Sequence, residues 1–215
     1  MTLSRQTHLV AGLILAGGLS RRMGGGDKSL RMLGGQPMLA HVIARLRPQA
    51  GTLVLNANGD PLRFAQFGLP VVADTVPDFA GPLAGILAGM RWALTHAPQA
   101  RWIASAAADT PFFPHDLVAR LLAATGGADT TIALAASADG MQPVFGLWPI
   151  ALAGDLERAL ISGTRKILAW TDRHAHTSVA FGAVKIGDRA IDPFFNANRP
   201  EDLAEAEALL EASRS

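Results

Sequence analysis

Short apolar runs alternate with amphipathic, helix-length segments along most of this 215-residue chain. Parallel strands need long connections, usually helices, so this alternation is the pattern of an α/β sheet wound with crossover helices. Residues 9–15 read as the first buried strand, apolar throughout apart from one glycine. Further strands are expected at 52–55, 70–73, 102–107, 131–135, 142–148 and 177–181. Helical segments are expected at 37–46, 62–67, 82–94, 114–122, 150–160, 165–170 and 200–210. Pro37 suits a first helical position, with Leu39, Val42, Ile43 and Leu46 on one apolar face behind it. No repeat, low-complexity tract or linker interrupts the pattern. Residues 1–215 are therefore read as a single Rossmann-like α/β domain, its mostly parallel sheet covered by helices on both faces.

The turn after the first strand stands apart. Residues 17–28 hold five glycines and the three cations Arg21, Arg22 and Lys28. With Arg31 included, four cations face the single acid Asp27, a local excess of +3 in a chain whose net charge is +1. Glycine lets backbone N–H groups approach a phosphate closely, and Lys or Arg neutralises it. The turn therefore points to a bound polyphosphate. It is not a P-loop, because Asp27 separates Gly26 from Lys28-Ser29. Nor does it carry the glycine spacing of a dinucleotide-binding turn.

Composition narrows the rest. Near-neutral charge gives no reason to expect nucleic acid or an anionic membrane as partner. The absence of cysteine excludes disulfides, thiolate metal sites and cysteine nucleophiles. Arg5 and the apolar run that follows it resemble a short secretory signal. Its brevity, and the glycine turn it would carry away, favour the strand reading. No run approaches the ~20 apolar residues of a membrane span, so a cytoplasmic protein is expected. The pair His174 and His176 lacks a third ligand and reads as a surface loop.

Ligands of open α/β sheets bind beyond the carboxyl ends of the strands. Besides the glycine turn, Asn56, Asp74 and Asp109 fall at such ends. Phosphate donors, an amide and two carboxylates are thus expected together.

These residues resemble a known family. Leu15-Ala16-Gly17-Gly18, Ser20, Arg22-Met23-Gly24 and Asp27-Lys28 are similar to the signature of nucleotidyltransferases of the molybdenum cofactor, most of all the guanylyltransferases (the MobA type). Asn56-Ala57-Asn58, Asp74 with Gly81-Pro82-Leu83-Ala84-Gly85, Asp109-Thr110-Pro111-Phe112 and the segment Asn196 to Leu203 follow in matching order. The resemblance implies that Leu15, Ala16, Gly17 and Gly18 line the nucleotide. Lys28 would hold the triphosphate with Arg22 as second cation, and Asn56 and Asp74 would contact the guanosine. Asp109 would bind magnesium; manganese shares its taste for oxygen ligands. The implied reaction joins GMP from GTP to the terminal phosphate of molybdopterin and releases pyrophosphate. Molybdenum-inserting enzymes and molybdoenzyme chaperones are the implied protein partners. Arg165 and Lys166, Gln142, and the amides Asn196 and Asn198 are candidates for the pterin side.

Two other readings stay open. Cytidylyltransferases and sugar-phosphate nucleotidyltransferases share parts of the glycine turn, and Asp27-Lys28 and Leu19-Ser20-Arg21 weigh against them. A nucleotide-binding module without transfer activity is the alternative of a different class. Arg199 stands where the family usually has Thr and cannot cap the last helix with its side chain, so either Asn198 caps it or the helix start is weaker.

Overall fold

The computed structural model describes residues 7–17, 27–76, 81–197 and 199–212. In chain order the strands and helices begin with β1 (Val10–Leu15), β2 (Met32–Leu33), β3 (Gln36–Pro37), α1 (Met38–Leu46), β4 (Thr52–Asn56) and β5 (Val71–Val72). Next come α2 (Pro82–His96), β6 (Trp102–Ala107), α3 (Leu117–Ala124), β7 (Ile132–Ser137) and β8 (Gly140–Pro149). The chain continues through α4 (Ala153–Ile161), α5 (Ile167–Thr171), β9 (His176–Ala180), β10 (Val184–Ile186), β11 (Arg189–Ile191) and α6 (Pro200–Ala212).

Seven strands form one sheet in the order β5-β4-β1-β6-β8-β7-β9. All its pairings are parallel except those of β8, which runs against both β6 and β7. The reversal has a local cause. Only Ala138 and Asp139 separate β7 from β8, with Gly140 at φ +109, and so short a connection can join only antiparallel neighbours.

β1 shows how the sheet is held. Val10 and Ile14 point to one face, where α1 and α3 supply Leu39, Val42 and Leu121; Ala11 and Leu13 point to the other, against Leu83, Ile86 and Met90 of α2. Val10–Leu15 thus runs inside the sheet, between β4 and β6, with side chains buried on both faces as in a parallel strand; Leu9 belongs to the 3-10 turn before it. Two glycines four residues apart, Gly85 and Gly89, let α2 lie close on the sheet. A Cβ at Gly89 would come within 2.8 Å of Leu13.

Several boundaries differ from expectation, each for a local reason. Pro37 is not the first helical residue: its ψ of 141° is extended, it pairs with Met32, and α1 begins one residue later. Helix α3 starts at Leu117 rather than 114, because Leu117 N–H closes a turn onto the Pro114 carbonyl. The two small hairpins, β2–β3 and β10–β11, were not anticipated, although Gly34-Gly35 and Gly187-Asp188 are two-residue turn signals. His176 opens β9 rather than sitting in a loop, and His174 meets Asp155 at 3.1 Å.

These hairpins and α6 pack into a third apolar cluster through Leu33, Ile186, Ile191 and Leu209, with Met38 from the start of α1 and Phe112 from the segment after β6. The Glu207 carboxylate accepts the Gly34 N–H at 2.9 and 3.0 Å, tying α6 to the β2–β3 hairpin. The start of α6 is also satisfied. Asp202, three residues into the helix, accepts the Arg199 N–H at 2.8 Å, the backward half of a capping box, so the missing Thr is compensated from inside the helix. Asn198, the other capping candidate, lies outside the described residues.

Candidate active site

After β1 the chain builds β4 and β5 on one side, then returns to place β6 on the other. Connections therefore diverge at the carboxyl ends of β1 and β6, and a crevice opens where they part. Leu15, Ala16 and Gly17 from β1, Ala108 and Asp109 from β6, and Asp27, Lys28 and Ser29 from the end of the glycine turn line one pocket there. Two bonds carry the sheet slightly past its strands: Ala16 N–H to Asn56 O at 2.9 Å and Ala108 N–H to Leu15 O at 3.1 Å. Gly17 is thus where the backbone leaves the sheet, exposed at the pocket mouth.

At its centre the Lys28 ammonium donates to Asp109 Oδ2 at 2.6 Å and to Asn196 Oδ1 at 3.0 Å. Lys28 and Asp109 are 81 residues apart, and their side chains keep only 12% and 23% exposure. The second Asp109 oxygen faces the Thr110 hydroxyl at 3.4 Å, a weak contact that leaves lone pairs for another ligand. The Ala197 N–H donates to the Asp109 carbonyl at 3.1 Å, which fastens the segment before α6 to the end of β6. Asn196, a candidate for the pterin side, therefore stands beside the lysine.

The second polar group lies at the ends of β4 and β5. Asn56, 4% exposed, donates from Nδ2 to Asp74 Oδ1 at 3.0 Å and to the Val72 carbonyl at 3.2 Å. Asn58 grips the same aspartate twice: its Nδ2 donates to Asp74 Oδ2 at 2.8 Å, and its Oδ1 accepts the Asp74 N–H at 2.9 Å. Asp74 is thus a fixed carboxylate at the rim. The first turn of α2 closes in from behind. A Cβ at Gly85 would lie 2.3 Å from Asn56 Oδ1 and 2.6 Å from Leu15. Gly85→Ala is accordingly expected to destabilise the protein by about 1–3 kcal/mol, as overpacking does, and to weaken nucleotide affinity by displacing Asn56. Thermal unfolding and nucleotide titration of that variant check both effects.

The remaining candidates divide. Gly18, Arg22 and Asn198 lie outside the described residues. Gln142 sits near the start of β8, at the sheet edge that carries Asp109, and donates to Ser137 Oγ at 3.2 Å. Arg165 donates to the Leu160 and Thr164 carbonyls, both at 3.1 Å, closing the end of α4. Lys166 is exposed at the N-cap of α5. Trp170 and His174 both bond Asp155, so α4 and α5 run back to back. β8 ends opposite Trp102, at the start of β6, and β9 begins opposite Ile132, at the start of β7. The α4–α5 turn with Arg165 and Lys166 is therefore directed towards the carboxyl edge of the sheet.

Two contributors had escaped sequence reasoning. Asn58 was visible in Asn56-Ala57-Asn58 but was given no role. Arg63 carried no motif, yet its Nε donates to Asp27 Oδ2 at 2.8 Å.

A single aspartate with one open oxygen fits magnesium, which keeps several waters and takes one or two carboxylates plus substrate phosphates. Among the described residues no three His, Cys, Asp or Glu side chains converge on a metal position.

Known proteins share this sequence and fold. The profile of the MobA-like NTP transferase domain matches residues 12–177. A molybdenum cofactor guanylyltransferase of Bradyrhizobium sp. (strain ORS 278) is 57% identical over 207 residues, covering 96% of this chain and 95% of that protein. The chain belongs to the molybdenum cofactor guanylyltransferases. A second guanylyltransferase of this family, from Mesorhizobium japonicum, is 49% identical across 96% of this chain and 98% of its own length. The crystal structure of molybdopterin-guanine dinucleotide biosynthesis protein A from Archaeoglobus fulgidus superposes with a TM-score of 0.67 at 26% identity, covering 94% of this chain and 98% of that one. The protein is thus a nucleotidyltransferase, and the crevice between β1 and β6 is its candidate active site.

Proposed function

We propose that this guanylyltransferase transfers GMP from GTP to the terminal phosphate of molybdopterin, with residues 1–215 acting as one cytoplasmic domain. The observation that carries the reading is the Lys28–Asp109 pair held at 2.6 Å in the switch-point crevice, where a triphosphate and its metal would have to sit. No helix among the described residues is long and apolar enough to cross a membrane.

In the proposed reaction an oxygen of the terminal pterin phosphate attacks the α-phosphorus of GTP. A new P–O bond forms there, the α–β bridging P–O bond breaks, and its electron pair leaves with pyrophosphate. A phosphate monoester has its second pKa at about 6, so the attacking oxygen is already anionic at neutral pH and needs no general base. The protein's tasks are to join two anions, align them and neutralise the leaving charge. Lys28, released from Asp109 towards the phosphates, supplies the cation. Asp109 would hold magnesium, which when bound screens the phosphate oxygens and polarises the phosphoryl group. Asp74, fixed by Asn56 and Asn58, offers a carboxylate to the N–H donors of guanine or the hydroxyls of ribose. Arg165, Lys166 and Gln142 belong to the side from which the pterin phosphate would enter.

The test is to incubate the protein with molybdopterin, magnesium and each nucleoside triphosphate in turn, following pyrophosphate release and the pterin product. Product with GTP alone is expected. Product with CTP instead would keep the mechanism and overturn the base assignment, whereas tight GTP binding without product would leave a binding module.

A further inference from the structure

We propose that Arg63 is a positioning residue that sets Lys28 by clamping Asp27 to the loop after β4, whose Asn58 grips the nucleoside carboxylate Asp74. The inference rests on the nucleotidyltransferase reading of the site. Arg63 does not line the pocket. It lies on the short 3-10 segment Pro61–Phe67 between β4 and β5, with its side chain 29% exposed.

All three guanidinium nitrogens are committed. Nε donates to Asp27 Oδ2 at 2.8 Å, Nη1 to the Asp60 carbonyl at 2.7 Å, and Nη2 to the Asn58 carbonyl at 2.6 Å. The guanidinium also lies 4.5 Å above the ring of Phe64, which is fully buried in the core. Four restraints from three directions leave it one position. The other Asp27 oxygen accepts the Ser29 hydroxyl at 2.8 Å, so both oxygens of this carboxylate are engaged.

The contacts form a continuous path. Lys28 follows Asp27, Asp27 pairs with Arg63, Arg63 holds the Asn58 carbonyl, and the Asn58 side chain grips Asp74. The phosphate side and the nucleoside side of the crevice are thereby tied through a residue that touches neither ligand. Arginine suits the task because its planar fork reaches a carboxylate and two carbonyls at once, which a lysine cannot do.

The consequence is specific. Without Arg63 the Asn58 carbonyl loses one donor, but Asp74 keeps the Asn56 and Asn58 side chains, so the nucleoside side is largely retained. Asp27 loses its charged partner, and the backbone that presents Lys28 loosens. Triphosphate binding should suffer while nucleoside binding does not.

Affinities for GTP and for guanosine, measured by competition against a fluorescent GTP analogue in magnesium buffer, provide the test. Arg63→Ala is expected to weaken GTP by about tenfold, within the usual range of coupling between sites, and to leave guanosine within about twofold. Equal weakening of both ligands, or unchanged GTP affinity in the folded variant, would overturn the proposal. Arg63→Lys keeps the charge and Asp27 pairing but not the three-way fork, and should recover only part of the GTP affinity. Should Arg63→Ala fail to fold, the lysine variant decides alone: full parental affinity overturns the clamp. Failure of the parent protein to bind GTP would instead count against the nucleotidyltransferase site itself.

Discussion

Asp109→Ala is expected to lower turnover by about 10²-fold or more, since one lost electrostatic contact to a developing charge typically costs ~3 kcal/mol in the transition state. The fold should survive it. The bond that ties the C-terminal segment to this position runs from Ala197 N–H to the Asp109 backbone carbonyl, which alanine retains. Lys28 also keeps Asn196 as an acceptor at 3.0 Å. Steady-state pyrophosphate release and a thermal unfolding curve together separate the two effects. Unchanged turnover would remove Asp109 from the mechanism, and loss of folding would make it a structural residue.

Lys28→Ala should be comparably severe, about 10²–10³-fold in turnover, and should weaken GTP binding as well. The reason is that its removal acts twice. The triphosphate loses a cation, and the Asp109 carboxylate, no longer compensated, faces the incoming phosphates as a like charge. Lys28→Arg keeps the charge. It cannot place a compact ammonium within 2.6 Å of Asp109 and 3.0 Å of Asn196 together, so it should recover binding more than turnover. Because Lys28 and Asp109 touch, their losses should not multiply: the double alanine variant is expected to be far more active than the product of the single losses implies. A double-mutant cycle on turnover reads this directly, and strict multiplicativity would show that the two residues act independently.

Local chemistry made much of this legible in advance. The run of residues 9–15 was read as a buried strand over a short secretory signal, and Val10–Leu15 form β1; the glycines and cations after it were read as a turn suited to anions, and residues 18–26 of it lie outside the described residues. Asn56, Asp74 and Asp109 were found because polar residues ending apolar strands lie at one edge of a parallel sheet, whatever the strand order. Only the turns of the β2–β3 and β10–β11 hairpins, Gly34-Gly35 and Gly187-Asp188, were readable, because strands of two or three residues carry too few alternating positions to declare themselves.

From the amino-acid sequence came the longer strands and helices, the edge of the sheet where polar side chains gather, and their residue types. Strand order was decided by tertiary packing, which put β6 beside β1 and brought Asp109 to Lys28 across 81 residues. The same packing brought Asn196 beside the lysine, and recruited Arg63, whose role depends on three partners at 27, 58 and 60. The division has a physical basis. Periodicity, turn propensity and glycine freedom act within a few residues and are written locally. A hydrogen bond between distant side chains depends on how whole layers dock, and that is settled only when both apolar faces of the sheet are covered.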